Sequence, residues 1–111
     1  MEAISWTDFE SVDIRAWIIV DVQDFPEIRN PSYKIWVDFG KELWIKKTSA
    51  QCTEIYSKEE LIWRQILWVV NFPQKQIGKF MSEFLITWVH TEKWVVLSSL
   101  EREVENGLKL L

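Results

Sequence analysis

The chain has 111 residues, 48% of them hydrophobic and 27% charged, with a formal net charge of −4. This length suits a single domain over residues 1–111 whose core needs no metal or disulfide, and the composition excludes intrinsic disorder. A lone cysteine, Cys52, with a lone histidine, His90, excludes an internal disulfide and a Cys/His zinc site within one chain, and fits a reducing cytoplasm.

The N-terminal stretch "MEAISWTDFESVD" is acidic and lacks the basic start and apolar centre of a secretory signal. Next, "DIRAWIIVDV" alternates. Ile14, Ala16, Ile18, Val20 and Val22 fall on one side, assigned to the core, and Arg15, Trp17, Ile19 and Asp21 on the other. "DFPEIRNPS" is a loop, because a strand ladder cannot run through Pro26 and Pro31. "YKIWVDFG" alternates again, with Tyr33, Ile35, Val37 and Phe39 inward, and Gly40 marks the turn into a third strand, "LWIKKTS". In "YSKEEL", Ser57 and Glu60 have the spacing of a reciprocal cap, which predicts one short helix. "LIWRQILWVVNF" reads as a long fourth strand and "SEFLITWVH" as a fifth. "WVVLSS" follows a turn near Thr91 to Lys93, and "ENGLKLL" places a turn at Asn106-Gly107 before a last short strand. The apolar runs are broken by Asp21, Arg64, Gln65 and His90, so none reaches the roughly 18 residues of a membrane span. Five or more strands predict an all-β fold; the pattern alone also permits another small barrel, and the helix between the third and fourth strands favours a five-stranded Greek-key barrel of the oligonucleotide/oligosaccharide-binding (OB) type.

The stretches "DFESVDIR", "NPSYKIWVDFG", "IKKTSAQ", "YSKEEL", "VVNFPQKQIGKFMSEFL" and "EREVENG" together resemble the CsaA-type secretion chaperones. These are small members of the family built on the structure-specific tRNA-binding domain, which is also appended to some tRNA synthetases. The match spans nearly the whole chain. The resemblance implies an OB barrel whose N- and C-terminal extensions form a homodimer, with tRNA or unfolded preprotein peptides as partners, no cofactor and no catalytic activity. It places the binding residues at Asn30, Ser32 and Lys34, at Ser49 and Gln51, and at Asn71, Lys75, Lys79, Met81, Ser82 and Glu83. The chemistry suits that role. Asn, Ser and Gln both donate and accept hydrogen bonds, Lys meets phosphate, and Met81 suits a peptide groove. Arg15, Lys46 and Lys47 add sequence-independent attraction. Read without the resemblance, Lys75 and Lys79 belong to a solvated loop in preference to a site, Cys52 is a small core residue and His90 a polar strand end.

Eight tryptophans and three glycines depart from the family's pattern. Trp17, Trp44, Trp63, Trp88 and Trp94 stand where glycine is common in the family. The one-directional exchange reads as an engineered version of the scaffold, made for stability, for assembly or for a new aromatic interface through Trp17, Trp44, Trp63 and Trp88, with the inherited binding reduced or lost. Trp17 and Trp44 are expected to face outward. Trp36 and Trp68 read as native packing, and Trp6 as a seal on the N-terminal segment.

Overall fold

The computed structural model describes residues 1–111 apart from the side chain of Glu42. Its central strand is β1 (Ile14–Asp24), which pairs antiparallel with β2 (Tyr33–Asp38) on one edge and with β4 (Gln65–Val69) on the other. With β3 (Ile45–Ala50) beside β2, and β7 (Leu85–Ile86) beside β4, these form a five-stranded sheet in the order β3-β2-β1-β4-β7. Two hairpins are appended, β5 (Lys75–Ile77) with β6 (Phe80–Ser82), and β8 (Trp88–His90) with β9 (Val95–Leu97). The sheet curls into the nearly closed antiparallel barrel that the strand pattern predicts.

β2 follows its alternation: Tyr33, Ile35, Val37 and Phe39 are all buried in the core cluster. β1 does not follow its own. Ile19, assigned to solvent, is 0% exposed, and Trp17 packs against the core instead of facing outward, whereas Ile18 and Val20 are half-buried. The cause is a register shift between Ile19 and Asp21 against β2; one extra residue there moves the inward side from Trp17 and Ile19 to Val22. Ala16 is buried outside that cluster. Its N–H donates to the Leu108 carbonyl at 3.2 Å, and its carbonyl accepts from Gly107 N–H at 2.8 Å, so the C-terminal segment covers this edge of β1.

The predicted helix is present as α3 (Lys58–Leu61), and its Ser57–Glu60 capping box is complete in both directions. Leu61 on it is fully buried in the core, and this single turn packs against β1. Two further helical turns go beyond the one expected. α1 (Trp6–Glu10) starts at a second capping box, Ser5 with Asp8, and α2 (Gly40–Leu43) opens on Gly40, whose φ is positive. Trp6, expected to seal the N-terminal segment, meets the Phe9 ring at 5.6 Å and stays 64% exposed. The long fourth strand is shorter than expected, and the fifth divides at Thr87 into β7 and β8. "NFPQKQIGKFMSEFL" folds largely into the β5–β6 hairpin, turned by Gly78 at φ +60°. The predicted turn before β9 is held by Thr91, whose hydroxyl accepts from Trp94 N–H at 3.0 Å. The last strand is reduced to a bridge between Arg15 and Lys109 beyond Gly107.

Inside the barrel, aromatic rings meet edge to face in a row. Trp17 meets Phe39 at 5.0 Å, Phe39 meets Phe84 at 4.8 Å, and Phe84 meets Trp68 at 5.1 Å. The Trp68 indole N–H donates to the Trp17 carbonyl at 3.0 Å, so a fully buried Trp68 leaves no polar atom unpaired. Trp17 is less well provided: its indole N–H is buried without an acceptor.

Among the ladders, β3 and β7 share none, and the barrel is closed by the segment just before β7. Glu83 N–H donates to the Lys47 carbonyl at 2.8 Å, and Lys47 N–H donates to Glu83 Oε1 at 3.2 Å, so the carboxylate stands in for a strand carbonyl. Beside it, the Thr48 hydroxyl reaches the Phe84 carbonyl at 2.9 Å and the Ser82 hydroxyl at 2.7 Å, all in the interior. Thr48→Val keeps the shape and removes this closure, leaving the Phe84 carbonyl and the Ser82 hydroxyl without their partner. Urea unfolding is expected to show a loss of about 1–3 kcal/mol, against a much smaller change for Thr91→Val on the exposed turn.

Candidate functional site

The barrel seam and the two hairpins beside it enclose a cleft of about 510 Å³. Asn30 and Pro31 reach it from the loop before β2, Thr48, Ser49 and Gln51 from β3 and its end, Lys75 and Ile77 from β5, and Ser82 from β6. Phe84, Leu85 and Val95 add apolar surface, while Glu54, His90 and Lys93 add polar groups. Five of the residues expected from sequence therefore meet here: Asn30, Ser49, Gln51, Lys75 and Ser82. Asn30, Gln51 and Lys75 are exposed, and Ser82 is committed to the Thr48 hydroxyl.

A second cavity of about 450 Å³ lies between the loop after β1 and the β5–β6 turn, lined by Phe25, Glu27, Ile28, Lys34, Gly78, Lys79 and Phe80. Lys34 and Lys79 from the expected set fall here. The Lys34 ammonium sits 4.8 Å from the centre of the Phe25 ring and 5.6 Å from that of Phe80, with the Glu27 carboxylate at 3.8 Å. Lys47 lies over the same Phe80 ring at 5.6 Å. Two cations thus share one aromatic ring.

The remaining expected residues lie apart from both spaces. The Ser32 hydroxyl is buried and donates to the Asn30 carbonyl at 3.0 Å, which shapes the loop that presents Asn30. Asn71 binds the N-terminal segment: its Oδ1 accepts from Asp13 N–H at 3.0 Å, and its Nδ2 donates to the Ser11 carbonyl at 2.8 Å. Glu83 closes the barrel and has Lys46 at 3.8 Å and Lys47 at 4.0 Å from its carboxylate. Met81 pairs with Gln76 across the hairpin and is half-buried.

Sequence reasoning missed Phe25 and Ile28. The signal was present, because two apolar side chains in a loop that Pro26 removes from any ladder need somewhere to pack. It also missed Glu54, Lys93 and the cleft role of His90, which topology alone brings to the seam. Among the described residues, no three His, Cys, Asp or Glu side chains gather as metal ligands. No helix is long and apolar enough to cross a membrane.

The chain is similar over nearly its whole length to two solved chaperones. The CsaA chaperone of Bacillus anthracis str. Ames has 38% sequence identity and a TM-score of 0.91, covering 99% of this chain and 100% of that one. The CsaA chaperone protein of Picrophilus torridus has 41% identity and a TM-score of 0.89, covering 98% and 100%. A MetRS-related protein from Pyrococcus horikoshii, at 21% identity and a TM-score of 0.85 over all of both chains, shares the fold. Among curated proteins, the methionine–tRNA ligase of Pyrococcus furiosus is 30% identical over 110 residues, and that of Thermococcus onnurineus is 28% identical. The chain spans about 15% of the length of these ligases. No protein-family model matches.

Close to the cleft residue Gln51, Cys52 is buried and its thiol is pushed up to about 12 by that burial. An unfolded chain sheds this proton above its ordinary value of 9.0, while the folded chain holds it to about 12. The thiol's contribution to stability is therefore intact below pH 9 and erodes between pH 9 and 12. At pH 8, Ellman's reagent is expected to label native Cys52 at least 100-fold more slowly than the urea-unfolded chain, from a thiolate fraction lowered by roughly a thousand-fold and from occlusion. Equal rates would mean that this interior is open.

Proposed function

The chain belongs to the CsaA chaperone family, and from that premise we propose that it is a non-enzymatic binding protein that holds extended, unfolded polypeptide in the cleft beside the barrel seam, acting as a homodimer. The observation that carries this reading is the mixed lining of the cleft. Phe84, Leu85, Val95 and Ile77 offer apolar surface to side chains, and Asn30, Ser49 and Gln51 offer both donors and acceptors to a peptide backbone. β5 pairs with β6 and lends Lys75 and Ile77 to the cleft, so its outer edge can take an added strand. An overall charge of −4 gives a polyanion no general attraction.

A second reading, binding of tRNA, is favoured by one feature: Lys34 and Lys47 converge on Phe80, with Lys79 beside them. Cations around an aromatic face suit a phosphate backbone with a stacked base. The two readings separate in titrations of a fluorescein-labelled extended peptide and of bulk tRNA at several salt concentrations. The first predicts saturable peptide binding with a weak salt dependence, and suppressed aggregation of a denatured client. The second predicts tRNA binding that weakens steeply with salt, with a log–log slope reduced by about 2 in Lys34→Ala/Lys79→Ala. Binding of neither partner rejects both readings.

Support for the dimer comes from the two ends of the chain. Lys109 bridges to Arg15, and its ammonium donates to the Glu10 carbonyl at 3.4 Å, so the C-terminal segment lies against the N-terminal one. Ile4, Trp6, Val12, Leu108 and Leu110 on these segments are exposed apolar side chains. Sedimentation equilibrium is expected to give a dimer for the native chain and a folded monomer for Trp6→Asp/Leu108→Asp. A native chain that sediments as a monomer at tens of micromolar would remove the pairing from the proposal.

A further inference from the structure

The tryptophans are of two kinds. Trp68 is fully buried, its indole N–H donates to a carbonyl at 3.0 Å, and its ring completes the edge-to-face row in the core. Trp44 and Trp63 have none of this. They are 73% and 71% exposed, and they are the two residues other than glycine with positive φ among those described, at 63° and 71°.

At Trp44, φ of 63° combines with ψ of −162°, a region essentially restricted to glycine because a Cβ there collides with the flanking backbone. The backbone cannot relax away from it. Trp44 N–H donates to the Gly40 carbonyl at 2.7 Å, and its own carbonyl accepts from Phe39 N–H at 2.9 Å, which fixes the link from β2 through α2 into β3. Trp63 is held in the same way where α3 passes into β4. Its N–H donates to the Ile19 carbonyl at 2.8 Å, and Ile19 N–H donates to the Arg64 carbonyl at 3.0 Å. Neither ring buries enough surface to offset the strain. Trp17 packs edge to face on Phe39 at 5.0 Å, but its indole N–H is buried without an acceptor.

From this we infer that positions 44 and 63, and position 17 with them, are decoded as glycine in the organism that makes this protein, from the codon UGA. UGA is a stop signal in the standard genetic code, tryptophan in some variant codes and glycine in others. One decoding rule accounts for a large side chain at two links whose backbone refuses it and at a strand position where it buries an unpaired N–H, while Trp68 remains a tryptophan that the core requires. It replaces redesign of the scaffold as the common cause.

The gene is the first test. UGA is expected at positions 17, 44 and 63, with UGG at 68; UGG at 44 and 63 would overturn the inference. The protein isolated from its own host is expected to have an intact mass lower by one tryptophan-to-glycine difference per UGA codon, localised by tandem mass spectrometry of the peptides. Tryptophan at 44 or 63 in those peptides would also overturn it. The backbone argument is tested separately with recombinant chains. Trp44→Gly and Trp63→Gly are each expected to raise the folding equilibrium constant about five- to a hundred-fold in urea titrations, whereas Trp68→Gly unfolds the protein. A fall in stability for both of the first two would show that the indoles are native to those positions.

Discussion

The structure depends on how the barrel closes. Four antiparallel ladders join the five strands of the sheet, but the gap between β3 and β7 is bridged by Lys47 and Thr48 on one side and Ser82, Glu83 and Phe84 on the other. A backbone pair, a carboxylate acting as a strand acceptor and a buried hydroxyl pair do the work of a ladder. Because a hydroxyl and a carboxylate reach further than a backbone carbonyl, the strands can diverge here, and the divergence leaves room for the cleft. The β5–β6 hairpin enters directly into this seam, so Lys75 and Ile77 take their positions from the closure, as do Ser49 and Gln51. The candidate site and the one join of the barrel made without a ladder are thus one place. That suits a binding surface, since regions that adapt to a guest are drawn from the less tightly tied parts of a fold.

Much of the fold could be read in the residues because much of it is local. The alternation in β2 is legible since one face of that strand is continuously buried, and the Ser57–Glu60 cap is legible since both partners lie within one turn. β1 misled for a physical reason. Its aliphatic residues occupy both sides, and the extra residue between Ile19 and Asp21 changes the phase without leaving a glycine or proline to mark it. The β5–β6 hairpin was hidden because each strand has three residues, too few to show a period. For the site, family likeness located the right neighbourhood but not the work of each side chain. Ser82, Glu83 and Asn71 are polar residues whose partners lie 34 to 60 positions away, and no spacing rule reports such a contact.

Electrostatics operates at the same short range. The negative net charge is spread over the acidic ends and the capped helical turns, while Lys34 and Lys47 gather around Phe80, with Glu27 and Glu83 close enough to temper both. Such exposed pairs contribute little to stability. Their effect is to orient two ammonium groups over one ring, which makes this cavity chemically distinct from the cleft beside it. A guest meeting the surface therefore encounters hydrogen-bonding groups and aliphatic surface at the seam, and cation and aromatic surface one hairpin away. An extended polypeptide with mixed side chains can use both, whereas a nucleic acid finds most of its partners in the second.

The same reasoning separates what the tryptophans contribute from how many there are. A side chain supports a fold in proportion to what it buries and pairs, and by that measure Trp68 is indispensable while Trp44 and Trp63 act against the conformation they occupy. Aromatic residues stabilise a sheet when their backbone is extended, and both of these sit at left-handed links between elements. The backbone at these links satisfies its hydrogen bonds as a glycine backbone would, through Gly40, Phe39 and Ile19. The fold thus has its own preference for the residue at each link, set by backbone conformation alone.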